Sequence, residues 1–295
     1  MDGVLNIRKP KGWTSHDVVQ KVRVLLAERR IGHTGTLDPL ATGVMVLCVG
    51  KATRIARFLE AQDKEYRVVL RLGIITDTLD ADGNILETRS YDAPPREDIL
   101  RVIRSFTGTI LQRPPAFSAV KVEGIPSYKL ARRGTPVDLK PRPVTVQALR
   151  LTSYEDPFVG LAVECSKGTY VRVLCADIGA TLGPGAHVVE LERTRVGRFL
   201  LEHSLSLEQL ADHKAAGSLE NVLISMDNAL AQFPCVDINA PEAERVSHGN
   251  PIPWSQLTDT SAYVRVHDPR GILVAIARTR EGKLEPQLVF HEKME

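Results

Sequence analysis

The spacing of apolar side chains changes repeatedly along the chain, and each change predicts an element. Val18, Val19, Val22, Leu25 and Leu26 recur at helical spacing, and Thr14 with Asp17 forms a capping-box signature, so a helix is expected over residues 15–27. The run Val44-Met45-Val46-Leu47-Cys48-Val49 is uniformly apolar between Gly43 and Gly50, as a buried strand would be, and a helix is expected over 51–59. Residues 64–72 alternate, with Tyr66, Val68, Leu70 and Leu72 on one face, which predicts a strand. Pro94-Pro95 opens a helix carrying Ile99, Leu100, Ile103 and Phe106. Strands are expected over 144–154 and 158–165, and then a helix with Val171, Leu174, Ile178 and Leu182 on one face. Ser206 begins an acidic helical stretch. The tail reads as three strands, 263–267, 271–277 and 284–290, with Asp268-Pro269-Arg270-Gly271 as a hairpin turn. Residues from about 236 on are therefore expected to form a separate small β unit.

Between the first helix and the apolar strand lies Gly32-His33-Thr34-Gly35-Thr36-Leu37-Asp38-Pro39-Leu40-Ala41-Thr42-Gly43. It holds a single carboxylate, Asp38, among glycines and threonines, and Pro39 drives the backbone at Asp38 toward an extended conformation. Such a loop can approach a ligand closely, although an ordinary Asp-Pro turn has the same composition. Arg172 falls in the first turn of a helix, off its apolar stripe. A cation there opposes the macrodipole, so a compensating anion is expected: Asp38, a phosphate or a surface Glu.

Charge sharpens this picture. The net charge is only +2, but residues 1–60 carry ten Lys/Arg against five Asp/Glu, residues 121–150 seven against two, and residues 201–250 two against eight. Two basic blocks offset by an acidic one suggest a basic face of the kind that meets a polyanion. The four cysteines, Cys48, Cys165, Cys175 and Cys235, form no C-x-x-C pair and have no nearby His pair, so buried free thiols are expected, with no zinc site and no disulfide framework. No apolar run approaches the length of a membrane span and no signal-peptide pattern opens the chain, which makes a cytoplasmic protein the expectation.

Chemical signatures of other enzyme classes fail on inspection. Gly50-Lys51 faintly resembles a phosphate loop, but Met45 stands at the first Gly position and Ala52 at that of the Ser/Thr; no G-x-G-x-x-G, H-E-x-x-H or G-x-S-x-G occurs. The acidic loop from Thr76 to Asn84 lacks the closing Glu of a calcium loop and is not read as a metal site. An acid-centred site with basic surroundings and no cofactor signature remains.

Seven segments together resemble the bacterial TruB family of tRNA pseudouridine synthases: KPKGWTS at Lys9, GHTGTLDPLATG around Asp38, KEYRV around Tyr66, TDTLDADG, QRPPAFSAVKVEG from Gln112, GTYVR ending at Arg172, and LERTRVG from Leu191. The resemblance implies an α+β catalytic domain with a large mixed or mainly antiparallel sheet over residues 1–234 and a small PUA-type RNA-binding domain over 235–295. It implies isomerisation of uridine to pseudouridine at position 55 in the T-arm loop of tRNA, by base flipping, with no cofactor or metal. Asp38 is then the catalytic nucleophile and Arg172 its partner, favouring the ionised carboxylate. Tyr66 stacks on the flipped base, Tyr170 and Leu191 complete the pocket, and His33 meets RNA near the vacated position. The cations around Lys9, over 121–142 and over 193–198 are expected to contact phosphate, and a monomer is expected. Glu192 stands where the family commonly has Arg. Two rival readings keep the same residues: an RNA-binding protein without chemistry, which would tolerate Asp38→Asn, and an N-glycosidic hydrolase, which would release free uracil.

Overall fold

The structure, a computed structural model, describes residues 1–118, 120–122, 124–131, 133, 135, 139–254 and 263–290. In chain order its elements are β1 (Gly3–Lys9), α1 (Ser15–Leu26), β2 (Ile31–His33), β3 (Thr42–Val49), a 3₁₀ stretch Gly50–Ile55, α2 (Ala56–Glu60), β4 (Lys64–Leu72), β5 (Ile74–Thr76), β6 (Ile85–Thr88), α3 (Arg96–Ser105) and β7 (Gly108–Gln112). Then come β8 (Lys121–Val122), β9 (Ile125–Pro126), α4 (Ser127–Ala131), β10 (Arg142–Glu155), β11 (Phe158–Cys165), α5 (Val171–Leu182), β12 (Ala186–Val196), β13 (Phe199–Leu200), α6 (Leu207–Ala215) and α7 (Met226–Ala229). The C-terminal part adds β14 (Cys235–Asp237), α8 (Ala240–Ser247), β15 (Ile252–Pro253), β16 (Tyr263–His267), β17 (Leu273–Arg280) and β18 (Lys283–Val289).

One nine-stranded sheet carries the larger part, in the order β1-β3-β12-β4-β11-β10-β7, with β2 on β3 and β13 on β12. Its pairings are antiparallel except where β12 meets β3 in parallel, Arg193 opposite Gly43. The sheet is thus mixed and mostly antiparallel. The uniform hydrophobicity of β3 has a simple cause: both of its faces are covered. Met45, Leu47 and Val49 pack with Val18, Val22 and Leu210, while Val44, Val46 and Cys48 pack with Phe58, Leu59 and Ile276. β4 alternates because only the face carrying Tyr66, Val68, Leu70 and Leu72 lies under α3 and α5. Thr14 and Asp17 close a complete capping box on α1.

β12 was not expected as a strand. Its inward positions include Arg193, so the apolar alternation that marks a strand is interrupted by a buried cation. The helix expected over 51–59 is divided between the 3₁₀ stretch and α2.

Residues from Cys235 on form a second, five-stranded sheet in the order β14-β16-β17-β18-β15, with α8 against it. This sheet does not bury its apolar surface alone. Phe58 of α2 stands edge-on to Phe233 and Tyr263, at ring-centroid distances of 5.9 and 4.9 Å, and Leu273, Ile276, Leu288 and Phe290 join the same cluster. The two sheets are coupled through a shared apolar core. Phe58→Ala is expected to cost about 3 kcal/mol or more and to split the single urea transition into two, read by tryptophan fluorescence against far-UV circular dichroism.

Candidate active site

Asp38 sits between β2 and β3, and three buried cations or hydroxyls hold its loop. Ser15, the first residue of α1, accepts from the Leu37 amide at 2.8 Å and donates to the Leu37 carbonyl at 3.0 Å through Oγ. Lys9, wholly buried at the end of β1, donates from Nζ to the carbonyls of Pro10, Trp13 and Pro39 at 3.0, 2.5 and 3.3 Å. Arg193 donates from Nε to the Val44 carbonyl at 2.7 Å and from Nη2 to the Gly35 carbonyl at 3.1 Å. Gly43 makes this approach possible. Its φ is +100°, and a Cβ there would lie 2.2 Å from the Arg193 carbonyl oxygen.

Arg172, in the first turn of α5, reaches the loop from the other side. Its Nε donates to Asp38 Oδ2 at 2.8 Å and its Nη2 to Asp38 Oδ1 at 3.0 Å, a bidentate pair. The remaining N–H groups point to the carbonyls of Thr78 and Phe117 and to Asp80 Oδ2, 3.3 Å from Nη1. The arginine side chain is only 5% exposed, whereas that of Asp38 is 33% exposed, so the carboxylate is held from within and open outward. Of the three anions the sequence allowed for Arg172, Asp38 takes the pairing, and Asp80 is a second that the sequence reading passed over as part of an acidic turn.

Burial pushes the Asp38 carboxyl above its ordinary value, the Arg172 guanidinium pulls it back, and the Asp80 carboxylate pushes it up again. Arg172 thus favours the ionised carboxylate, as expected of the pair, but desolvation is the larger influence and the net shift is upward. Tyr66, on β4 opposite Arg193 of β12, is buried, and burial raises its phenol above the usual value. Its hydroxyl is therefore protonated near neutral pH. Tyr170 stands at the N-terminus of α5, half-buried, with its amide and carbonyl both held by the Gln112 side chain at 2.7 and 3.1 Å. Leu191 is buried on β12 opposite Val68. His33, half-buried on β2, accepts from the Gly35 amide at Nδ1, and burial followed by Arg193 lowers its pKa, which keeps the imidazole neutral.

An open groove of about 550 Å³ adjoins the loop, lined among others by Lys11, Leu40, Thr42, Arg67, Leu191 and Glu192. Glu192 faces Arg67 across it, 3.7 Å away. Three expected phosphate contacts are corrected here. Lys9 is buried against carbonyls, and burial lowers its pKa to about 8; Arg193 is buried against the loop backbone; Arg195 is paired with Glu65 and Glu164, each at 2.7 Å. Their positive charge neutralises internal dipoles and carboxylates instead. Lys11 is exposed and lines the groove. Arg8 and Arg198 are exposed too, with Arg8 donating to Ser204 Oγ and the Leu201 carbonyl and Arg198 to the Asn228 carbonyl. Arg132, in the expected basic block, lies outside the described residues.

Comparison with known proteins shows the family. Residues 23–171 match the family model described as TruB family pseudouridylate synthase, N-terminal domain. The chain belongs to this family. Residues 172–231 and 233–291 match two C-terminal models, of tRNA pseudouridylate synthase B and of tRNA pseudouridine synthase II. The chain is 41% identical to the tRNA pseudouridine synthase B of Bacillus cereus, over all of this chain and 99% of that protein. It is 46% identical to that of Dechloromonas aromatica over 85% of this chain and 84% of the relative. Among solved structures, a Cbf5-Nop10-Gar1 complex is 29% identical with a TM-score of 0.77, over 98% of this chain and 85% of that one. An H/ACA ribonucleoprotein bound to a substrate RNA containing 2′-deoxyuridine is 26% identical with a TM-score of 0.76, over 99% and 86%.

Two substitutions separate the roles of the buried charges. Lys9→Met should lower stability by about 2 kcal/mol, because it leaves buried carbonyls unpaired, while the salt dependence of RNA binding stays unchanged; a slope reduced by about one unit would restore Lys9 as a phosphate contact. Asp80→Asn should lower turnover about a hundredfold by letting the guanidinium shift, with RNA affinity retained in filter binding.

Proposed function

We propose that the protein isomerises uridine to pseudouridine in tRNA, at position 55 of the T-arm loop, with Asp38 as the reacting carboxylate. Carrying this reading is the outward-facing Asp38 clamped by the buried Arg172, in a chain of the pseudouridylate synthase family. The reaction breaks the C1′–N1 bond, turns the base and joins C5 to C1′. A proton leaves C5 and one is gained at N1, so atoms balance without an added oxidant or reductant. A carboxylate can support this as a nucleophile at C1′, as a nucleophile at C6, or by assisting elimination across the sugar. Arg172 occupies one side of both Asp38 oxygens and leaves the other side for the ribose or base.

To reach Asp38 the target base leaves its stack, at a cost of a few kcal/mol. Tyr66 supplies a ring face and a protonated hydroxyl for that base, Tyr170 and Leu191 close the pocket, and His33 offers a neutral imidazole to the vacated position. Residues 1–234 are assigned the chemistry and residues 235–295 a PUA-type RNA contact. The protein acts as a monomer on the T-arm in the cytoplasm, and the exposed cations Arg8, Lys11 and Arg198 meet phosphate.

The assay that tests this reading maps pseudouridine by carbodiimide-primer extension on unmodified tRNA transcript. One product in the T loop is expected, lost in Asp38→Asn while tRNA binding persists; free uracil, or an active Asp38→Asn, would discard the assignment. The rate should fall at acidic pH as Asp38 protonates. Because burial raises its pKa, that fall comes at higher pH than for an exposed aspartate, and Arg172→Gln should move it higher still. An acid limb unmoved by Arg172→Gln would remove Asp38 as the titrating group.

A further inference from the structure

Cys235 and Asp237 lie two residues apart on the edge strand β14, so their side chains leave the same face while Val236 turns into the core. The expectation that all four cysteines are buried fails at this one: Cys235 is exposed. β14 runs parallel to β16 with Asp237 opposite His267, which brings the imidazole beside both side chains. Cys235 Sγ is 2.9 Å from His267 Nδ1, and Asp237 Oδ1 is 3.7 Å from each of those atoms. On the far side of the ring, His267 Nε2 is 2.8 Å from Asp227 Oδ1, and Asp227 is itself held by Arg265 Nη1 at 2.9 Å. An ionised carboxylate only accepts, so Nε2 donates to Asp227 and Nδ1 is the ring atom turned toward Cys235 and Asp237.

We propose that Cys235, Asp237 and His267 bind a thiophilic divalent transition-metal ion of the Zn²⁺ class, with Asp227 orienting the imidazole from behind. Thiolate, imidazole and carboxylate are the donors such ions take, whereas Mg²⁺ and Ca²⁺ prefer oxygen alone. Ligand atoms around a tetrahedral zinc stand about 3.3 to 3.6 Å apart, from bond lengths of about 2.0 to 2.3 Å. The three separations observed here, 2.9, 3.7 and 3.7 Å, straddle that span, and rotation about χ1 of two exposed side chains closes the difference. The Asp237 side chain is 81% exposed, which leaves the fourth position facing water. A carboxylate behind a ligating imidazole is the usual outer-shell arrangement of such sites. Binding releases the thiol proton to solvent. The ion ties β14 to β16 and, through Asp227, to α7, so it braces the connection between the two sheets.

The test uses the full-length protein, reduced and stripped of metal, titrated with Zn²⁺ alone by calorimetry and with Co²⁺ by absorption. One ion per chain, a thiolate-to-cobalt charge-transfer band and a raised melting temperature are expected, all lost in Cys235→Ser and His267→Asn. Asp227→Asn should keep the stoichiometry and weaken binding about 10- to 100-fold. Asp237→Asn, exposed and outside the core, serves if the other variants fail to fold, and it should also weaken binding. No saturable uptake by the folded wild type, or an affinity that survives Cys235→Ser or Asp237→Asn unchanged, would overturn the site.

Discussion

The guanidinium of Arg172 is the point on which the part built on the nine-stranded sheet converges. A buried arginine is tolerable only if its charge is compensated and its N–H groups are satisfied. Two carboxylates, from loops on either side of β4, supply the compensation, and two carbonyls take the remaining donors. Each partner comes from a different part of the chain, so the pair forms only when β3, the turn after β5 and α5 are all in place. The same requirement fixes the orientation of Asp38 without filling its outer side, as the role proposed for it requires.

Around this pair the protein uses cations as internal fasteners. Lys9 and Arg193 would serve nucleic acid well from the surface, yet both are buried and spend their donors on backbone carbonyls, each with one bond to the Asp38 loop, at Pro39 and Gly35, and the rest to the segments beside it. A loop rich in glycine is entropically free, and hydrogen bonds from three separate elements remove that freedom while leaving the small residues close to any ligand. Desolvation is the opposing influence. It lowers the basicity of Lys9 and raises the pKa of Asp38, so the site works by balancing burial against charge rather than by charge alone.

The small sheet is joined to the large one by hydrophobic packing at Phe58, Phe233 and Tyr263, and by Asp227, which reaches from α7 to Arg265 and His267. Its outer edge presents Cys235 and Asp237 to solvent, where an ion can be held without disturbing that packing. The core beneath the Asp38 loop, the joint at Phe58 and the small sheet's own core are distinct apolar clusters.

What the sequence determined by itself follows from local physics. The capping box at Thr14, the period-two face of β4, the helix after Tyr170 and the small-residue loop around Asp38 are each set by neighbours in the chain, and motif order over some two hundred residues carried the family resemblance. Arg172 was legible as a cation in need of an anion. What tertiary structure decided is how each buried charge is spent. Lys9 and Arg193 look like their surface counterparts in one dimension, because burial is a property of what other segments cover. The same holds for β12, whose strand pattern is broken by an arginine that finds its carbonyls only after folding, for Asp80, whose partner lies far along the chain, and for Cys235, whose exposure and histidine neighbour come from strand pairing rather than spacing.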